Sequence, residues 1–527
     1  MKLPDARSTV PWFLAWPLVA ILATLPATGP RSAFKLLLIL PLAAWGWRHW
    51  NRPAGLFPAG AHWLPIALSL SAVCAFAGLG ILEFANYSNY DQGDISYYLS
   101  SFHNSRGWLP GVNGLSGRPF LAHHSEFPCI PVGWLYRLAP WPITLQLLQA
   151  AMALLAWALF RSWILKRSRD KLPGEWLAFG FALTPCLLAP LLKGFHGAAL
   201  ALPALVLTAT AFHDRNWKRF LIGLCLLLLC KEVFTLSAMA LGAFAWVRRR
   251  EAKWIAVPFA MGLGYGLFLR GWFFPRMLQG SAAYYYDSLF GGWGEAWARI
   301  RSWPSALYLI RLVLWGGAYA ALPGGYPLLA LPTAGLNLVL GSGFADFRNH
   351  YILEPSFWMF FGGALGLSRS WDEGRDAAPD RERRLFSFLL CLFILGVTLC
   401  QDLPLYRHHR FESSYRRALQ ALPAEATVGL GVPLEDHLYK VRRYYWARFG
   451  YRTGKPCTWA GEFSLEGGPG EYALLHKGMG VPGFLPREQE RIRECWADLE
   501  KDPAYRTVWE DPVLILIRKR DALSGWE

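Results

Sequence analysis

Residues 141–171 read WPITLQLLQAAMALLAWALFRSWILKRSRDK, and this stretch decides the fold class. Its first part, Trp141–Leu159, contains no charged side chain, whereas its second part carries five basic residues. An apolar run of this length can cross the hydrocarbon core of a bilayer as a helix, and a basic loop directly after it is typical of the cytoplasmic side. The stretch therefore predicts a transmembrane helix that ends in the cytoplasm.

The composition of the whole chain agrees with this interpretation. Hydrophobic residues make up 54% of the 527 residues and charged residues only 17%, whereas a soluble chain carries about 25% charged residues. Two further runs, Trp176–Leu192 and Phe386–Cys400, also lack charge. We predict an α-helical polytopic membrane protein with about 13 transmembrane helices. We place the spans at residues 10–28, 33–47, 62–83, 142–160, 175–192, 196–212, 220–231, 234–247, 254–270, 305–321, 325–341, 351–367 and 386–400.

The basic residues predict how these helices are oriented. The net charge is +16; residues 1–400 carry 34 basic and 19 acidic residues, and residues 401–527 carry 19 and 18. The excess in the membrane part indicates anionic lipid and a fixed topology, and it does not indicate nucleic acid. The positive-inside rule places four basic clusters in the cytoplasm. These clusters fall within residues 161–171, 215–219, 248–253 and 369–384.

Three apolar segments are too short for ordinary crossings. Phe127–Leu138 would reverse the orientation of the basic loop 161–171 if it crossed the membrane, so we expect it to be interfacial or re-entrant. Residues 220–231 and 234–247 are expected to form a hairpin whose tip, Lys231–Glu232, lies below the outer surface.

The predicted topology places the protein in the inner (plasma) membrane of the cell and divides it into two domains. Residues 1–400 form the transmembrane domain, with a cytoplasmic N-terminus and a large outer loop at 83–126, and residues 401–527 form a small extracytoplasmic α/β domain. Cys457 and Cys495 in that domain form a disulfide or remain two free thiols. We predict strands at Ala426–Gly431 and Tyr472–Leu475, a helix or turn at Pro433–Tyr445, a helix at Pro486–Leu499, and a hairpin of Thr507–Glu510 with Val513–Arg518.

Polar residues that the topology brings to the outer face are the functional signal. Ionisable side chains in a membrane are costly and usually face a cavity or a partner. Each residue alone also fits a structural role, such as a solvated loop acid, a neutralised Lys231–Glu232 pair or an Arg348 that reaches the headgroups. Several helices that carry such groups at one depth favour a shared site. The residues are Asp91, Asp94, His123, His124, Lys193, His196, Lys231, Glu232, Arg348 and His350.

Four segments, taken in order, resemble a known family. They are HHSEFPCIPVGWLYRLAPWPITLQLLQ (123–149), GFHGAALALPALVL (194–207), LLLLCKEVFTLSAMALG (226–242) and RNHYILEPSFWMFFGGALGL (348–367). Together with the acidic outer loop and the tail, they resemble the membrane-protein family DUF2079. That family in turn resembles the GT-C-type glycosyltransferases, which take sugars from polyprenyl-phosphate donors.

The resemblance implies a role for each candidate residue. An acid of the first outer loop acts as general base on the acceptor hydroxyl: Asp94, which follows a glycine and starts a helix, or alternatively Asp91. Asp94 also fits the N-cap of that helix, which is the structural explanation for it. The implied partners are a polyprenyl-phosphate-linked sugar and membrane lipid. In the implied substrate site, which also includes His196, the side chains of His123 and His124 orient the substrate. Arg348, His350, Lys231 or Lys193 contacts phosphate, and Glu232 holds Lys231.

Other interpretations fit the same residues. We expect no cofactor. Glu232 and the histidines could instead bind a divalent metal, but their spacing is not that of a zinc site. A lipid or solute transporter or flippase would use the same polar pocket without chemistry, and a non-catalytic envelope scaffold would not need Asp91 or Asp94. The sugar, the lipid carrier and the acceptor do not follow from the sequence.

Overall fold

The fold is taken from a computed structural model, whose contacts divide it into two compact units. The first comprises the described parts of residues 1–79, 147–271 and 283–403, and the second those of 80–146, 272–282 and 404–527. The structure describes residues 62–85, 94–105, 107–113, 118–168, 170–192, 194–278, 292–315, 325–341, 344–345, 350–372, 378–399, 412–423, 427–431, 443–448, 458–461, 464–467, 472–476, 497, 501, 503–510 and 514–520.

Helices dominate the described chain, as predicted. They are α1 (Trp63–Ala85), α2 (Asp94–His103), α3 (Cys129–Leu138), α4 (Pro142–Arg167), α5 (Lys171–Ala182), α6 (Pro185–Leu192), α7 (Leu202–His213), α8 (Trp217–Cys230), α9 (Phe234–Val247), α10 (Ala252–Phe268), α11 (Phe274–Met277), α12 (Trp293–Ile300), α13 (Trp303–Trp315), α14 (Leu331–Leu340), α15 (Leu353–Asp372), α16 (Ala378–Leu399) and α17 (Glu412–Ala421). Short 3-10 turns occupy Phe120–Ala122, Gly197–Ala201, Tyr326–Ala330 and His350–Ile352, and a π-helical turn occupies Leu269–Phe273.

Within the described ranges, four helical segments are long and apolar enough to cross a membrane: Trp63–Leu82, Pro142–Arg167, Lys171–Leu192 and Ala252–Met277. Shorter apolar helical segments accompany them at Gly197–His213, Phe234–Val247, Tyr326–Leu340 and Arg384–Phe393. The protein is therefore a multi-pass membrane protein. The predicted spans 10–28 and 33–47 lie outside the described residues, and the count of about 13 helices stays a prediction.

The predicted span 175–192 is longer than expected and is interrupted. It begins at Lys171, where the Asp170 carboxylate caps the helix by accepting from the Leu172 amide, and it breaks at Leu183–Thr184 before α6. Pro185 has no amide hydrogen to continue the ladder. The Thr184 hydroxyl donates to the Phe181 carbonyl oxygen at 2.6 Å in its place. Both halves are almost wholly covered by neighbouring helices, so α5 and α6 lie in the centre of the first unit.

Aromatic side chains fill the core of the first unit. Phe160 packs between Phe181 and Phe360, with ring centroids 4.8 and 5.4 Å from its own, and the three rings are fully or almost fully buried. Lipid is as apolar as these side chains, so close packing rather than exclusion of water stabilises helix contacts in a bilayer. The stability of this core therefore depends on how closely the side chains fit together.

Glycines let α9 and α10 approach closely. A Cβ placed on Gly262 would lie 2.6 Å from the Thr235 carbonyl oxygen, and one on Gly242 would lie 2.7 Å from the Ile255 carbonyl oxygen. Small residues at such contacts are typical of membrane helix pairs. The pair therefore packs backbone against backbone along much of its length.

The four basic clusters that were assigned to the cytoplasm meet at one end of the first unit. Contacts between loops show this arrangement, because each joins residues from helix ends that are distant in sequence. The contacts are an ion pair of Arg167 with Asp214, a hydrogen bond from Arg250 Nη1 to Phe212 O at 2.6 Å, and an ion pair of Arg381 Nη2 with Asp170 Oδ2 at 3.5 Å.

The second unit contains a seven-stranded mixed sheet in the order β4-β3-β2-β1-β5-β7-β6. Strand β1 is parallel to β2 and β5, and the other pairs are antiparallel. The strands are β1 (Thr427–Gly431), β2 (Arg443–Arg448), β3 (Thr458–Gly461), β4 (Ser464–Gly467), β5 (Tyr472–His476), β6 (Tyr505–Glu510) and β7 (Leu514–Lys519).

The sheet matches part of the prediction for the tail. Strands lie where they were predicted at β1, β5 and the β6–β7 hairpin. The prediction of helix or turn was wrong for Arg443–Tyr445, which belong to β2, because adjacent aromatic residues favour a strand. Residues 433–442, the predicted helix Pro486–Leu499, Cys457 and Cys495 and the boundary at 401 lie outside the described residues. An extracytoplasmic α/β domain stays a prediction.

Candidate functional site

The first unit holds His196 on a loop that Gln149 fixes. The Gln149 amide nitrogen donates to the carbonyl oxygens of Pro190 and Gly194 at 2.7 Å each, and its oxygen accepts from the His196 amide at 2.7 Å. Gly194 has φ of 82°, a left-handed conformation that glycine adopts without strain. Helix α4 therefore fixes the backbone that carries His196.

Lys231 lies at the tip of the α8–α9 hairpin, where helix α8 ends in an extended residue. Helix α8 starts at the end of the bundle that carries the basic clusters, and its 14 residues rise by about 21 Å. That is less than the roughly 30 Å of a bilayer core. Lys231 and Glu232, both buried, therefore lie at the far end of the bundle. Their position below the outer membrane surface stays a prediction.

His350 and Tyr351 join His196 and Lys231 at that end. The imidazole rings of His196 and His350 are stacked with centroids 3.9 Å apart, and both are buried. The Lys231 ammonium lies over the Tyr351 ring, 5.6 Å from its centroid, which stabilises the cation where water is scarce. Three segments from distant parts of the chain thus place one cation and two imidazoles in one cluster.

A small cavity of about 30 Å³ adjoins this cluster. Lys231, His350, Tyr351, Asn337 and Glu354 contribute to its lining. A space of this size holds one or two water molecules. The described residues therefore form a small polar cavity beside Lys231 and His350.

Glu354 is a buried acid that the sequence analysis did not single out. Its carboxylate accepts from Ser237, from Thr333 Oγ1 at 2.8 Å and from Trp358 Nε1 at 3.2 Å. These donors belong to α9, α14 and α15. The acid therefore connects three helices next to the cavity that Lys231 also lines. The signal in the sequence was a lone acid in the apolar segment 351–367, but its partners lie far away in the chain.

The second unit holds the outer-loop candidates. Helix α2 begins at Asp94, as predicted, and carries Tyr97 and Tyr98 one turn later. The His123 ring lies 4.8 Å from the Tyr97 ring and 4.5 Å from the His124 ring, centroid to centroid. The Tyr97 hydroxyl donates to the Phe120 carbonyl oxygen at 2.6 Å. The two histidines therefore pack against the helix that Asp94 starts.

Glu126 is a second buried acid that the sequence analysis left out. Its Oε2 accepts a hydrogen bond from the Tyr98 hydroxyl at 2.8 Å, and the residue is fully buried. Its place two residues after His124 was the available signal. The contact links the end of the outer loop to α2, so Glu126 positions the helix start.

The predicted site residues are thus divided between the two units. His196, Lys231, Glu232 and His350 belong to the first unit and come together at one end of it. His123, His124 and Asp94 belong to the second unit. Asp91, Lys193 and Arg348 lie outside the described residues, as does the Asp94 side chain. Among the residues that the structure covers, no group of three or more His, Cys, Asp or Glu side chains is arranged to hold a metal ion.

Comparisons with solved structures list two forms of one membrane protein. ArnT from Cupriavidus metallidurans bound to undecaprenyl phosphate is similar at a TM-score of 0.49 and 11% identity, over 87% of this chain and 98% of that one. The apo form of ArnT from Cupriavidus metallidurans is similar at 0.46 and 12%, over 86% and 99%. No curated protein matches the sequence.

Family membership follows from a sequence pattern. The pattern described as "Predicted membrane protein (DUF2079)" matches residues 85–373, more than half of the chain. The match includes the outer loop, the His196 loop, the Lys231 tip and the His350 segment. The chain therefore belongs to the DUF2079 family of predicted membrane proteins.

Proposed function

We propose that this protein is a membrane glycosyltransferase that moves a sugar from a polyprenyl-phosphate donor to an extracytoplasmic acceptor. The observation that supports it most is the buried cluster of Lys231, His196 and His350, opposite the basic end of the bundle. Phosphate oxygens are bound best by charged and N–H donors at sites that exclude water. A lipid-linked donor brings such a phosphate to the membrane.

The geometry of the hairpin suits a donor anchored in the bilayer. In the proposed topology, Lys231 lies below the outer surface of the membrane. A water-soluble ligand would cross part of the bilayer to reach it, whereas a lipid ligand approaches from the side. A buried ammonium gains from an anionic partner. The polyprenyl chain remains in lipid while its phosphate contacts Lys231, His196, His350 and Arg348.

The transfer step needs a base on the acceptor side. The acceptor oxygen attacks the anomeric carbon, the bond from that carbon to the phosphate oxygen breaks, and polyprenyl phosphate departs with the electron pair. The acceptor proton passes to Asp94, with Asp91 as the alternative base. A carboxylate at a low-dielectric boundary holds a proton more readily than one in water, which suits it to base catalysis. His123 and His124 orient the substrate, and Glu232 holds Lys231.

The orientation completes the proposal. The basic end of the bundle faces the cytoplasm, the cluster faces outward in the plasma membrane, and the tail domain recognises the acceptor. The family resemblance supports this class of donor.

A survey of donors tests the proposed function. Purified protein in lipid nanodiscs is incubated with radiolabelled sugars on polyprenyl phosphate, on a short water-soluble phosphate and on a nucleotide, together with envelope extract as a source of acceptor. We expect transfer and release of polyprenyl phosphate from the first donor alone. Movement of intact donor across a liposome membrane, without release of polyprenyl phosphate, would assign the protein to lipid transport instead.

A further inference from the structure

A second cavity lies at the basic end of the first unit, away from the cluster around Lys231. Its volume is about 340 Å³, within the range of roughly 300–1,000 Å³ that is typical of ligand pockets. It opens between the end of α4, the end of α7 and the start of α8. Its lining residues are Leu159, Ser162, Trp163, Lys166, Arg167, Leu207, Thr210, Ala211, Asp214, Asn216 and Arg219.

The charges on this cavity do not balance. Arg167 forms an ion pair with Asp214, which also accepts from Trp163 Nε1 at 3.1 Å. Among the described residues that line the cavity, Asp214 is the single acid, and its charge is neutralised by Arg167. For Lys166 and Arg219, the described chain provides no carboxylate partner. Two cations therefore remain on the cavity wall without a counter-charge.

The opposite part of the wall is apolar. Leu159, Leu207 and Ala211 line the side that continues along α4 and α7 into the membrane part of the bundle. The Trp163 ring is buried against Phe361, with ring centroids 5.3 Å apart, and so is held in place. The cavity thus has a cationic rim at the helix ends and an apolar floor toward the bilayer.

We propose that this cavity binds the phosphate group of an anionic membrane lipid from the cytoplasmic leaflet. Lys166 and Arg219 contact the phosphate, Arg167 stays paired with Asp214, and the first part of an acyl chain lies against Leu159 and Leu207. Basic pockets between transmembrane helices on this side are suited to anionic headgroups. The proposal is independent of the glycosyltransferase reaction, because the two sites lie at opposite ends of the α8–α9 hairpin.

The apolar wall favours a lipid over free phosphate, which shares the same anionic chemistry. Free phosphate would use the cationic rim and leave the apolar floor without contacts. A phospholipid uses both, and it is already concentrated at the depth where the helices end. Free phosphate is therefore the competing occupant, and the experiment separates it from the lipid.

The test uses full-length protein in a neutral detergent and native mass spectrometry. The bound fraction is measured with dioctanoyl-phosphatidylglycerol, with dioctanoylglycerol, which lacks phosphate, and with phosphatidylglycerol in the presence of millimolar inorganic phosphate. The cavity variant is Lys166→Gln with Arg219→Gln. The matched control, Lys218→Gln with Arg248→Gln, removes two exposed charges from the same end that do not line the cavity. Melting temperatures confirm that both variants are folded.

We expect phosphatidylglycerol to bind the wild-type protein and the control equally, and the cavity variant about tenfold more weakly. Dioctanoylglycerol should bind none of them appreciably, and inorganic phosphate should not displace the lipid. An equal loss of phosphatidylglycerol affinity in the control would show that general surface charge, and not the cavity, binds the lipid. Equal binding of dioctanoylglycerol would remove the role of phosphate, and displacement by inorganic phosphate would assign the cavity to the free ion.

Discussion

The imidazole rings of His196 and His350 are stacked with their centroids 3.9 Å apart, although more than 150 residues separate them in the chain. Each residue lies at the start of a 3-10 turn that leads into an apolar helix, so both rings reach the same end of the bundle. His350 and Lys231 line the same cavity. We therefore expect the ring nitrogens of the pair to act as hydrogen-bonding groups beside the Lys231 cation.

His350→Phe separates the chemistry of this pair from its packing. Phenylalanine keeps an aromatic ring against His196 but removes both ring nitrogens. We expect sugar transfer to fall about tenfold to a hundredfold, because a hydrogen bond to a charged phosphate contributes roughly 1.5–3 kcal/mol. The melting temperature should change little. Unchanged transfer in this variant would remove His350 from the proposed site.

Gln149→Leu tests how the His196 loop is held. The substitution removes the hydrogen bonds from Gln149 to Pro190 O and Gly194 O and the acceptor for the His196 amide. Each buried polar group left without its partner costs about 1–3 kcal/mol, so we expect a lower melting temperature together with slower transfer. Gln149→Glu keeps the acceptor for the His196 amide but turns a buried carboxyl toward the carbonyl oxygens of Pro190 and Gly194, so we expect it to lose at least as much stability as the Leu variant. A Leu variant with wild-type stability would show that the loop does not depend on Gln149.

Gly262→Ala tests the close packing of α9 against α10. The new Cβ would lie 2.6 Å from the Thr235 carbonyl oxygen, so the helices must separate. We expect a loss of about 1–3 kcal/mol in the free energy of unfolding, measured by thermal or denaturant unfolding in detergent. Gly264→Ala is the matched control, since a Cβ there meets nothing within 4 Å. Equal effects of the two substitutions would contradict the packing.

Tyr98→Phe tests the link between Glu126 and the helix that starts at Asp94. The substitution removes one phenol hydroxyl and leaves the ring in place among its aromatic neighbours. If Tyr98 positions the helix start, kcat for transfer should fall by about tenfold, while KM for the donor stays near its original value. Glu126→Gln keeps an acceptor for the hydroxyl and should reduce kcat less. A purely structural role would instead lower the melting temperature and leave kcat of the folded fraction unchanged.

The sequence was informative wherever a local pattern decided the structure. The apolar runs on both sides of Lys231 were too short for full crossings, and this placed Lys231 at a buried hairpin tip. Glu354 could not be identified in the same way, because its donors Ser237 and Thr333 approach it only through helix packing. The strand Arg443–Arg448 was missed although its adjacent aromatic residues favour a strand, because its parallel partner β1 lies more than ten residues away and no hairpin turn marks the pairing.

The central claim is that a membrane transferase uses Asp94 as its base, and one measurement tests it most directly. Transfer of radiolabelled sugar from polyprenyl phosphate is compared in nanodiscs for the wild-type protein, Asp94→Asn and Asp91→Asn, with melting temperatures as the control for folding. Loss of a general base slows a reaction about a hundredfold or more. We predict this loss for folded Asp94→Asn and near wild-type transfer for Asp91→Asn. Full transfer by both variants would contradict the account.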